Sequence, residues 1–289
     1  MFLKKMMKKS IPNSLSNIKE LIKDADAVLV GIGAGMSAAG GADYSGDRFE
    51  KYFGDFKAKY GIADMYSGGF YPFKTKEEYW AWWSRAIWLE RYQTGVLQPY
   101  KDLLELVKDK NYFILTTNVD HQVQKAGFDK KRLFYTQGDY GLFQCEVPCK
   151  EVTYDNEELV KEMVEKQKDM KIPTELIPKC PNCGKNLVPN LRIDATFVED
   201  EGWHKASERY LEFVEKNKNK KIVFLEFGVG MNTPTIIKYP FLRMTLNNKQ
   251  AKFVGFNAQE FTYPAELDKQ VIQVTGDIAE NLTQLIEVN

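Results

Sequence analysis

The chain has 289 residues, of which 44% are hydrophobic and 28% are charged. This composition suits one or two packed domains and excludes disordered, fibrous and collagen-like proteins. Forty Lys and Arg residues balance forty Asp and Glu residues, so the sequence predicts neither nucleic acid nor a membrane as a partner. The longest apolar runs, such as Ala27–Ile32, are far shorter than the roughly 20 residues of a membrane-spanning helix. We therefore expect a soluble protein.

The N-terminal segment Met1–Ser10 carries four lysines. No apolar core of about 7 to 15 residues follows them, so the segment does not predict a secretory signal. We expect the protein in the cytoplasm, where the reducing environment favours free or metal-bound cysteines over disulfides.

Helices and strands are predicted in alternation along much of the chain. A helix over Ser14–Lys23 leads into a buried strand over Ala27–Ile32. The further strands are predicted over Tyr112–Thr116, Lys221–Phe227, Lys252–Phe256 and Gln270–Val274, with helices over Pro99–Lys108 and Glu208–Glu215. This order predicts an α/β fold with a Rossmann-like, doubly wound parallel sheet and helices on both faces.

Two segments interrupt the alternation and predict a second, smaller lobe. Residues 48–93 are rich in aromatic residues and contain a predicted helix over Lys76–Tyr92, and residues 141–188 contain all four cysteines. The expected division is a Rossmann-like domain of residues 14–47, 94–140 and 189–289, a helical aromatic-rich insertion of residues 48–93, and a cysteine-bearing insertion of residues 141–188.

Small residues follow the first predicted strand. Gly33, Ala34, Gly35 and Ser37 form a loop in which backbone without Cβ atoms could approach a pyrophosphate, and the amides of a following helix could bind its charge. A glycine-rich turn that simply closes a buried strand is the alternative. The acidic residue that a dehydrogenase carries roughly 20 residues later is not evident, which disfavours hydride transfer.

The four cysteines form two close pairs, which predict a metal site. Cys145 and Cys149 have the spacing C-x3-C, and Cys180 and Cys183 the more specific spacing C-x2-C followed by a glycine. Four thiolates without a histidine or an open position indicate a structural zinc ion, so that the insertion of residues 141–188 is a zinc-binding one. Free or redox-active thiols are the alternative.

A third segment links these features to a known family. Thr116-Thr117-Asn118-Val119-Asp120 ends a predicted strand, and Thr136-Gln137-Gly138 follows it before Cys145. This order of motifs resembles the sirtuins, and the matches run from Ala27 to Asn281. The resemblance implies NAD as co-substrate. It implies that the following residues contact NAD: Gly33, Ala34, Gly35, Ser37, Asp43, Tyr44, Thr117, Asn118, Asp120, Gln137, Gly228, Gly230, Asn232, Asn257 and Asp277.

The sequence departs from the sirtuin deacylases at three points. Gln137 replaces the catalytic His, Asp43-Tyr44-Ser45 replaces a segment that ends in Arg, and Thr117 replaces a Gln. These changes resemble those of the bacterial macrodomain-linked sirtuins, class M. That resemblance implies mono-ADP-ribosylation of a lipoylated carrier similar to the glycine-cleavage H protein, with a macrodomain hydrolase as functional partner.

The replacement at position 137 has a direct chemical consequence. A glutamine amide is far too weak a base to remove a ribose hydroxyl proton, so the second half of deacylation should be slow. Cleavage of the nicotinamide bond depends on positioning and electrostatics, which Asn118, Asp120 and Gln137 could still supply as catalytic residues. The sequence thus favours an ADP-ribosyltransferase, with a slow lysine deacylase and a silent NAD or ADP-ribose sensor as alternatives.

Each of these residues also has a plainer interpretation. Asn118 and Asp120 could cap the helix that follows them, and Gln137 could be a solvated loop residue. His121 could replace the missing base, but a position on a helix surface is the favoured interpretation. Arg48 and Arg91 could contact a phosphate or an acidic partner, but solvated side chains are the favoured interpretation. The tryptophan-rich helix is expected to form the core of the smaller lobe rather than the wall of an acceptor cleft.

Overall fold

A computed structural model describes residues 15–230 and 234–287 of the chain. Within these residues no helix combines the length and the apolar character that crossing a membrane requires. Strands β1 to β9 of this part of the chain are Ala27–Ile32, Tyr112–Thr116, Leu133–Tyr135, Gly138–Cys145, Tyr154–Asp155, Leu187–Leu191, Ile222–Phe227, Lys252–Asn257 and Val271–Thr275.

The α-helices differ mainly in length, and the longest belong to the two faces of the larger sheet and to the smaller lobe. Helices α1 to α11 of the described residues are Leu15–Asp24, Ala34–Ala39, Gly46–Tyr60, Met65–Gly69, Lys76–Ile87, Gln98–Val107, Gln122–Lys125, Glu157–Lys166, Glu201–Asn217, Lys238–Asn247 and Ile278–Glu287. A π-helical turn, Trp88–Gln93, continues α5, and short 3-10 turns occupy Lys130–Arg132, Thr174–Leu176 and Ala265–Leu267.

Six parallel strands form the larger sheet in the order β3-β2-β1-β7-β8-β9. The five strands predicted from apolar runs are all present, which confirms the doubly wound α/β architecture. Strand β3 was not predicted, because three residues are too few to show a pattern. Since the sheet is parallel, the loops after its strands gather along one edge, where such folds bind their ligands.

Both faces of this sheet are covered by apolar side chains. Val28 and Val30 of β1 pack on one face with α1, α6 and α11, whereas Ala27 and Leu29 pack on the other with α9 and α10. Alternate residues of a strand point to opposite faces, so an unbroken apolar run can fill two cores at once. The sheet is therefore buried on both sides, and its strand ends remain for function.

The smaller lobe has a core of its own. Trp80, Trp82 and Phe53 are fully buried there, and they pack with the sheet β5-β4-β6. The prediction that the tryptophan-rich helix forms a core is thus confirmed. The helix ends at Ile87 and gives way to the π-helical turn, and the small sheet reaches beyond residues 141–188, since β4 begins at Gly138 and β6 ends at Leu191.

Candidate active site

The glycines after β1 touch the loop after β7. A Cβ atom on Gly33 would lie 2.6 Å from the carbonyl oxygen of Gly228, and one on Gly35 would lie 2.7 Å from the Cα of Gly228. The amide of Gly35 donates to that same carbonyl at 3.0 Å. Only glycine permits this approach of two backbones, which brings both loops to one site.

A cavity of about 880 Å³ opens beside this contact. Its wall includes seven of the residues predicted to bind the cofactor, namely Ala34, Gly35, Asp43, Gly228, Gly230, Asn257 and Asp277. Residues that the sequence did not point to, including Lys238 and Phe261, complete the wall. Asn232, which was also predicted, lies outside the described residues. The structure thus brings residues from five separate strand ends and loops to one cleft.

Asn118 lies next to this cavity in a dense network of hydrogen bonds. Its side-chain amide donates to the carbonyl of Gly33 at 3.0 Å, to the Tyr100 hydroxyl at 3.0 Å and to the Ser37 hydroxyl at 3.2 Å. Helix α7 begins only at Gln122, so the interpretation of Asn118 as a helix cap is wrong. We had no sequence signal for Tyr100, which is fully buried in α6 and holds both Ser37 and Asn118.

Asp120 is buried in the same network. One carboxylate oxygen accepts the Ser37 hydroxyl at 2.5 Å, and the other accepts the amide of Gln122 at 3.1 Å. The second bond does serve the turn into α7, as the plainer interpretation suggested. Burial raises the pKa of Asp120, although the hydrogen bonds from Ser37 and Gln122 oppose that change. A buried carboxylate acts more strongly on a nearby ligand than an exposed one, because water screens it less.

Gln137 follows β3 as Asn118 follows β2. Thr116 and Tyr135 are partners in the parallel pairing, so both polar residues stand two positions beyond the same pair. The side chain of Gln137 is half-buried, and among the described residues its amide reaches only the adjacent Thr136 hydroxyl, at 3.5 Å. Gly138, with φ at +94°, turns the chain into β4 where a Cβ would lie 1.9 Å from the carbonyl of Asn190.

Arg48 binds the segment around Asp43. Its guanidinium donates to the carbonyl of Asp43 at 3.0 Å and forms an ion pair with Glu90, which is almost fully buried. Arg48 is therefore not the solvated residue we expected. Tyr44 places its hydroxyl 3.2 Å from that of Tyr140 in the smaller lobe.

Thr117 and Ser37 complete the set of predicted residues at the strand ends. The amide of Thr117 donates to the carbonyl of Ile32 at 3.1 Å, and no hydrogen bond of its side chain is found among the described residues. Ser37 is buried, and its hydroxyl joins Asp120 to Tyr100. Ser37 also accepts from the amide of Asn118 at 3.2 Å, so it connects the three other members of the network.

His121 does not lie on a helix surface. It has a left-handed backbone, with φ at 65°, and its Nδ1 forms a hydrogen bond with the carboxylate of Asp139. Arg91 donates to the other oxygen of that carboxylate at 3.1 Å, so the expectation of a solvated Arg91 is wrong as well. Burial raises the pKa of Asp139, but the hydrogen bond and charge of His121 outweigh it and lower the pKa overall. Asp139 is two residues from Gln137 in sequence.

The four cysteines converge at the edge of the small sheet. Their sulfur atoms all lie within 4.8 Å of one another, with 3.6 Å between Cys145 and Cys183 and between Cys149 and Cys180. A disulfide needs about 2.05 Å, whereas thiolates about 2.3 Å from a tetrahedral zinc ion stand roughly 3.8 Å apart. The arrangement therefore fits a structural zinc ion.

Known proteins resemble this chain in sequence and in fold. No family profile matches the chain. A "Protein ADP-ribosyltransferase" of Staphylococcus aureus (strain Mu50 / ATCC 700699) is 39% identical over 267 residues, which cover 92% of this chain and 85% of that protein. A "Probable bifunctional ADP-ribose hydrolase/ADP-ribosyltransferase" of Fusarium oxysporum f. sp. cubense is 30% identical over 295 residues, covering 95% of this chain but only 48% of that protein.

Solved sirtuin structures have the same fold. The complex of Sir2 with a p53 peptide and NAD+ matches with a TM-score of 0.63 and 17% identity, over 95% of this chain and 98% of that chain. A Sir2 homolog–NAD complex matches with a TM-score of 0.64 and 17% identity, over 96% and 94% of the two chains. Together with the sequence relatives, these matches establish the class. The chain belongs to the sirtuin family and, within it, to the protein ADP-ribosyltransferases.

Proposed function

We propose that the protein transfers ADP-ribose from NAD to a lipoylated carrier protein similar to the glycine-cleavage H protein, with release of nicotinamide. The observation that carries the proposal is that Asn118 and Gln137 stand at equivalent positions, two residues beyond the last paired residues of β2 and β3. The first belongs to a rigid network suited to bond cleavage, and the second is an amide where a deacylating sirtuin has a base.

The cavity offers the features that the adenosine diphosphate half of NAD requires. Its wall holds backbone from the two touching glycine loops at Gly35 and Gly228, which permit close approach of a pyrophosphate. Asn257, the last residue of β8, and Asp277, in the loop after β9, contribute polar side chains. The nicotinamide end would then point toward Asn118, whose amide bonds to Gly33, the residue before Ala34 of the cavity wall.

Asn118 and Asp120 would cleave the nicotinamide bond by positioning and charge. Asn118 orients the ribose, and Asp120 holds the carboxamide while its negative charge favours the cationic ribose of the transition state. Neither residue needs to gain or lose a proton in this step. The network that fixes them, through Ser37 and Tyr100, removes the cost of rearranging them during reaction.

Gln137 determines which reaction follows the cleavage of the nicotinamide bond. Its amide can hydrogen-bond a ribose hydroxyl or a bound water, but it cannot remove a proton at any physiological pH. An acceptor that brings its own ionised nucleophile, such as a carboxylate, needs no such base, because the carboxylate oxygen already has the electron pair that forms the new bond to the ribose carbon. Transfer is therefore favoured over deacylation.

A macrodomain hydrolase is the proposed functional partner. The Fusarium relative is named as a bifunctional hydrolase and transferase, and this chain matches about half of it. Fusion of the two activities in one protein supports the idea that ADP-ribose added by a transferase of this type is removed by a hydrolase acting on the same carrier.

The experiment uses the purified protein, NAD and the carrier in lipoylated and unlipoylated forms. We expect the intact mass of the lipoylated carrier to increase by one ADP-ribose, with one nicotinamide released per transfer. The Asn118→Ala variant serves as the inactive control. Nicotinamide release without any change in carrier mass would contradict transferase activity, and equal modification of both carrier forms would contradict the role of the lipoyl group.

One observation favours a second candidate, a slow NAD-dependent lysine deacylase. His121 has an Asp139 partner at Nδ1, and its Nε2 makes no hydrogen bond within the described residues, so an imidazole base lies near the Gln137 turn. A histidine whose Nδ1 is held by a carboxylate is the arrangement that orients a general base in many active sites. Formation of O-acyl-ADP-ribose from an acyl-lysine peptide, and its loss in His121→Gln, would favour this function over transfer.

A further inference from the structure

An acidic residue interrupts the central strand β7. Glu226 is fully buried, and the remaining residues of Ile222–Phe227 are all apolar. Strand β7 lies inside the sheet, between β1 and β8, and Glu226 has no exposed surface, so its carboxylate is not in contact with bulk water. A buried charge is costly unless it is paired and hydrogen-bonded, which makes its surroundings informative.

Three groups satisfy Glu226, and all of them belong to the cavity or its loops. Lys238 donates to the carboxylate at 2.6 Å and Asn257 at 3.0 Å, both to Oε2, and the amide of Val229 donates to Oε1 at 2.7 Å. Lys238, Val229 and Asn257 all line the cavity. The ammonium of Lys238 also lies 3.9 Å from the ring centre of Phe261, on the same wall.

Stability alone does not account for this arrangement. Replacing a buried ion pair by apolar residues of similar volume is often neutral or stabilising, so such a pair is weak evidence for a structural role. Lys238 is moreover the first residue of α10, where a positive charge opposes the helix dipole. The position of the pair on the cavity wall therefore points to the ligand.

Glu226 fixes which way the amide of Asn257 points. An ionised carboxylate only accepts hydrogen bonds, so the NH2 group of Asn257 must face it. The amide oxygen is thereby left free, and it makes no hydrogen bond to the described part of the chain. Because Asn257 lines the cavity, this oxygen is available as an acceptor for a ligand hydroxyl.

We propose that Glu226 and Lys238 form a positioning pair that makes the cavity select an adenosine ribose with free hydroxyls over one with a 2′-phosphate. This inference rests on the proposed function, because it takes NAD or ADP-ribose as the ligand. A hydroxyl can donate to the oxygen of Asn257, whereas a phosphate offers only acceptors there, so that two oxygens would face each other without a hydrogen between them. Lys238 neutralises Glu226 and is thereby unavailable to attract the phosphate.

The test compares the binding of ADP-ribose and 2′-phospho-ADP-ribose by calorimetry, which requires no turnover. In Glu226→Gln the side-chain amide can turn its own NH2 toward Asn257, so that the Asn257 amide reverses and Lys238 loses its counter-charge. We expect the ratio of the two affinities, ADP-ribose over 2′-phospho-ADP-ribose, to fall by about tenfold or more. A fall of this size corresponds to the loss of one hydrogen bond that only the free hydroxyl can make.

Two further variants keep the test independent of folding. Asn257→Ala removes the acceptor from the cavity wall and should weaken ADP-ribose binding by about tenfold. Asn248→Ala is the matched control: it removes a buried amide just before the opposite end of β8, where the side chain bonds to the carbonyl of Lys220, and it should change neither ligand's affinity.

The outcomes separate this inference from the function on which it rests. If the wild-type protein binds ADP-ribose, an unchanged preference in both Glu226→Gln and Asn257→Ala overturns the positioning role alone. If the wild-type protein binds neither ADP-ribose nor NAD, the proposed function fails, and this inference fails with it.

Discussion

The ends of β2 and β3 carry the two residues on which the proposed chemistry depends, and they are held very differently. The NH2 group of Asn118 lies within hydrogen-bonding distance, 3.0 to 3.2 Å, of three acceptors: Gly33 and Ser37 at the start of α2, and Tyr100 in α6. The amide of Gln137 reaches one neighbouring hydroxyl at 3.5 Å. The Asn118 corner, which consists of Asn118 and its partners Gly33, Ser37 and Tyr100, is preorganised. The Gln137 corner, which consists of Gln137 and the adjacent Thr136, is open.

This difference is informative about the reaction. Bond cleavage by positioning requires groups that are fixed before the substrate arrives, and the Asn118 corner provides them. A catalytic base also needs a fixed orientation, usually from a hydrogen-bonded partner. Gln137 has no such partner among the described residues, so the Gln137 corner is suited to accommodate an acceptor rather than to move a proton.

Removal of zinc should have the largest effect on stability, and this effect should be concentrated at the Gln137 corner. Strand β4 begins beside Gln137 and ends at the zinc ligand Cys145, so the ion holds the Gln137 corner through the small sheet. Structural zinc contributes on the order of 10 kcal/mol to the folding of small domains. Under reducing conditions a strong chelator should therefore unfold the small lobe or aggregate the protein. Hydrogen exchange should show lost protection in β4 and β6 before β2.

The exposed ligand Cys149 provides a variant with little loss of packing. Cys149→Ser should reproduce the loss of protection in the small sheet without a chelator. Protection of β4 and β6 that is the same with and without the ion would contradict the structural role of zinc.

Asn118→Ala should have the next largest effect. It removes the centre of the network, and loss of one well-placed group in a preorganised site typically costs about 10²–10³ in rate. We expect the transfer rate to fall by that factor while the midpoint of thermal unfolding changes little. Tyr100→Phe, which removes only one partner of Asn118, is the graded control and should lose much less. Equal losses in both variants would argue against a special role of Asn118.

Gln137→His should have a smaller effect on transfer, and it should not create an efficient deacylase. The histidine would lack a partner to orient it, and the Arg that ends the family's loop is absent, with Arg48 engaged by Glu90 instead. A positioned base typically contributes about 10²–10⁴ in rate, and we expect most of that gain to be missing. O-acyl-ADP-ribose would be measured by mass spectrometry. Full deacylase turnover in this variant would show that only the base had been lacking.

The smallest effect concerns the pH dependence of stability. Burial raises the pKa of Glu90 from 4.5 to about 7, against the opposing interaction with Arg48. The folded state then binds more protons than the unfolded state between these values, so this residue makes the free energy of unfolding fall as pH rises from about 4.5 to about 7. Glu90→Gln should flatten that slope in urea titrations, by at most about 3 kcal/mol. An unchanged slope would assign it to other groups.

Much of this architecture was readable from the sequence. Strands β1, β2 and β7 to β9 are apolar runs that end in polar or glycine residues, and the cysteine spacing predicted the four-sulfur cluster. The cavity residues Gly35, Asn257 and Asp277 were predicted because several ordered motifs resembled one family, although each motif alone is weak.

Other features depend on contacts between distant segments, which no local pattern encodes. Tyr100 lies in an ordinary amphipathic helix, and only the packing of α6 shows its bond to Asn118. His121 needed its left-handed backbone to reach Asp139. Glu226 did leave a signal, as an acid within an otherwise apolar strand, and that signal could have been used.

The most direct test of the central claim is a crystal structure of the protein with NAD. We predict that the amide of Gln137 lies within hydrogen-bonding distance of a hydroxyl of the nicotinamide ribose. We also predict that no titratable side chain contacts the ribose hydroxyls on the face of the ribose that Gln137 occupies. A Gln137 turned away from the ribose, with the imidazole of His121 in its place, would contradict the account.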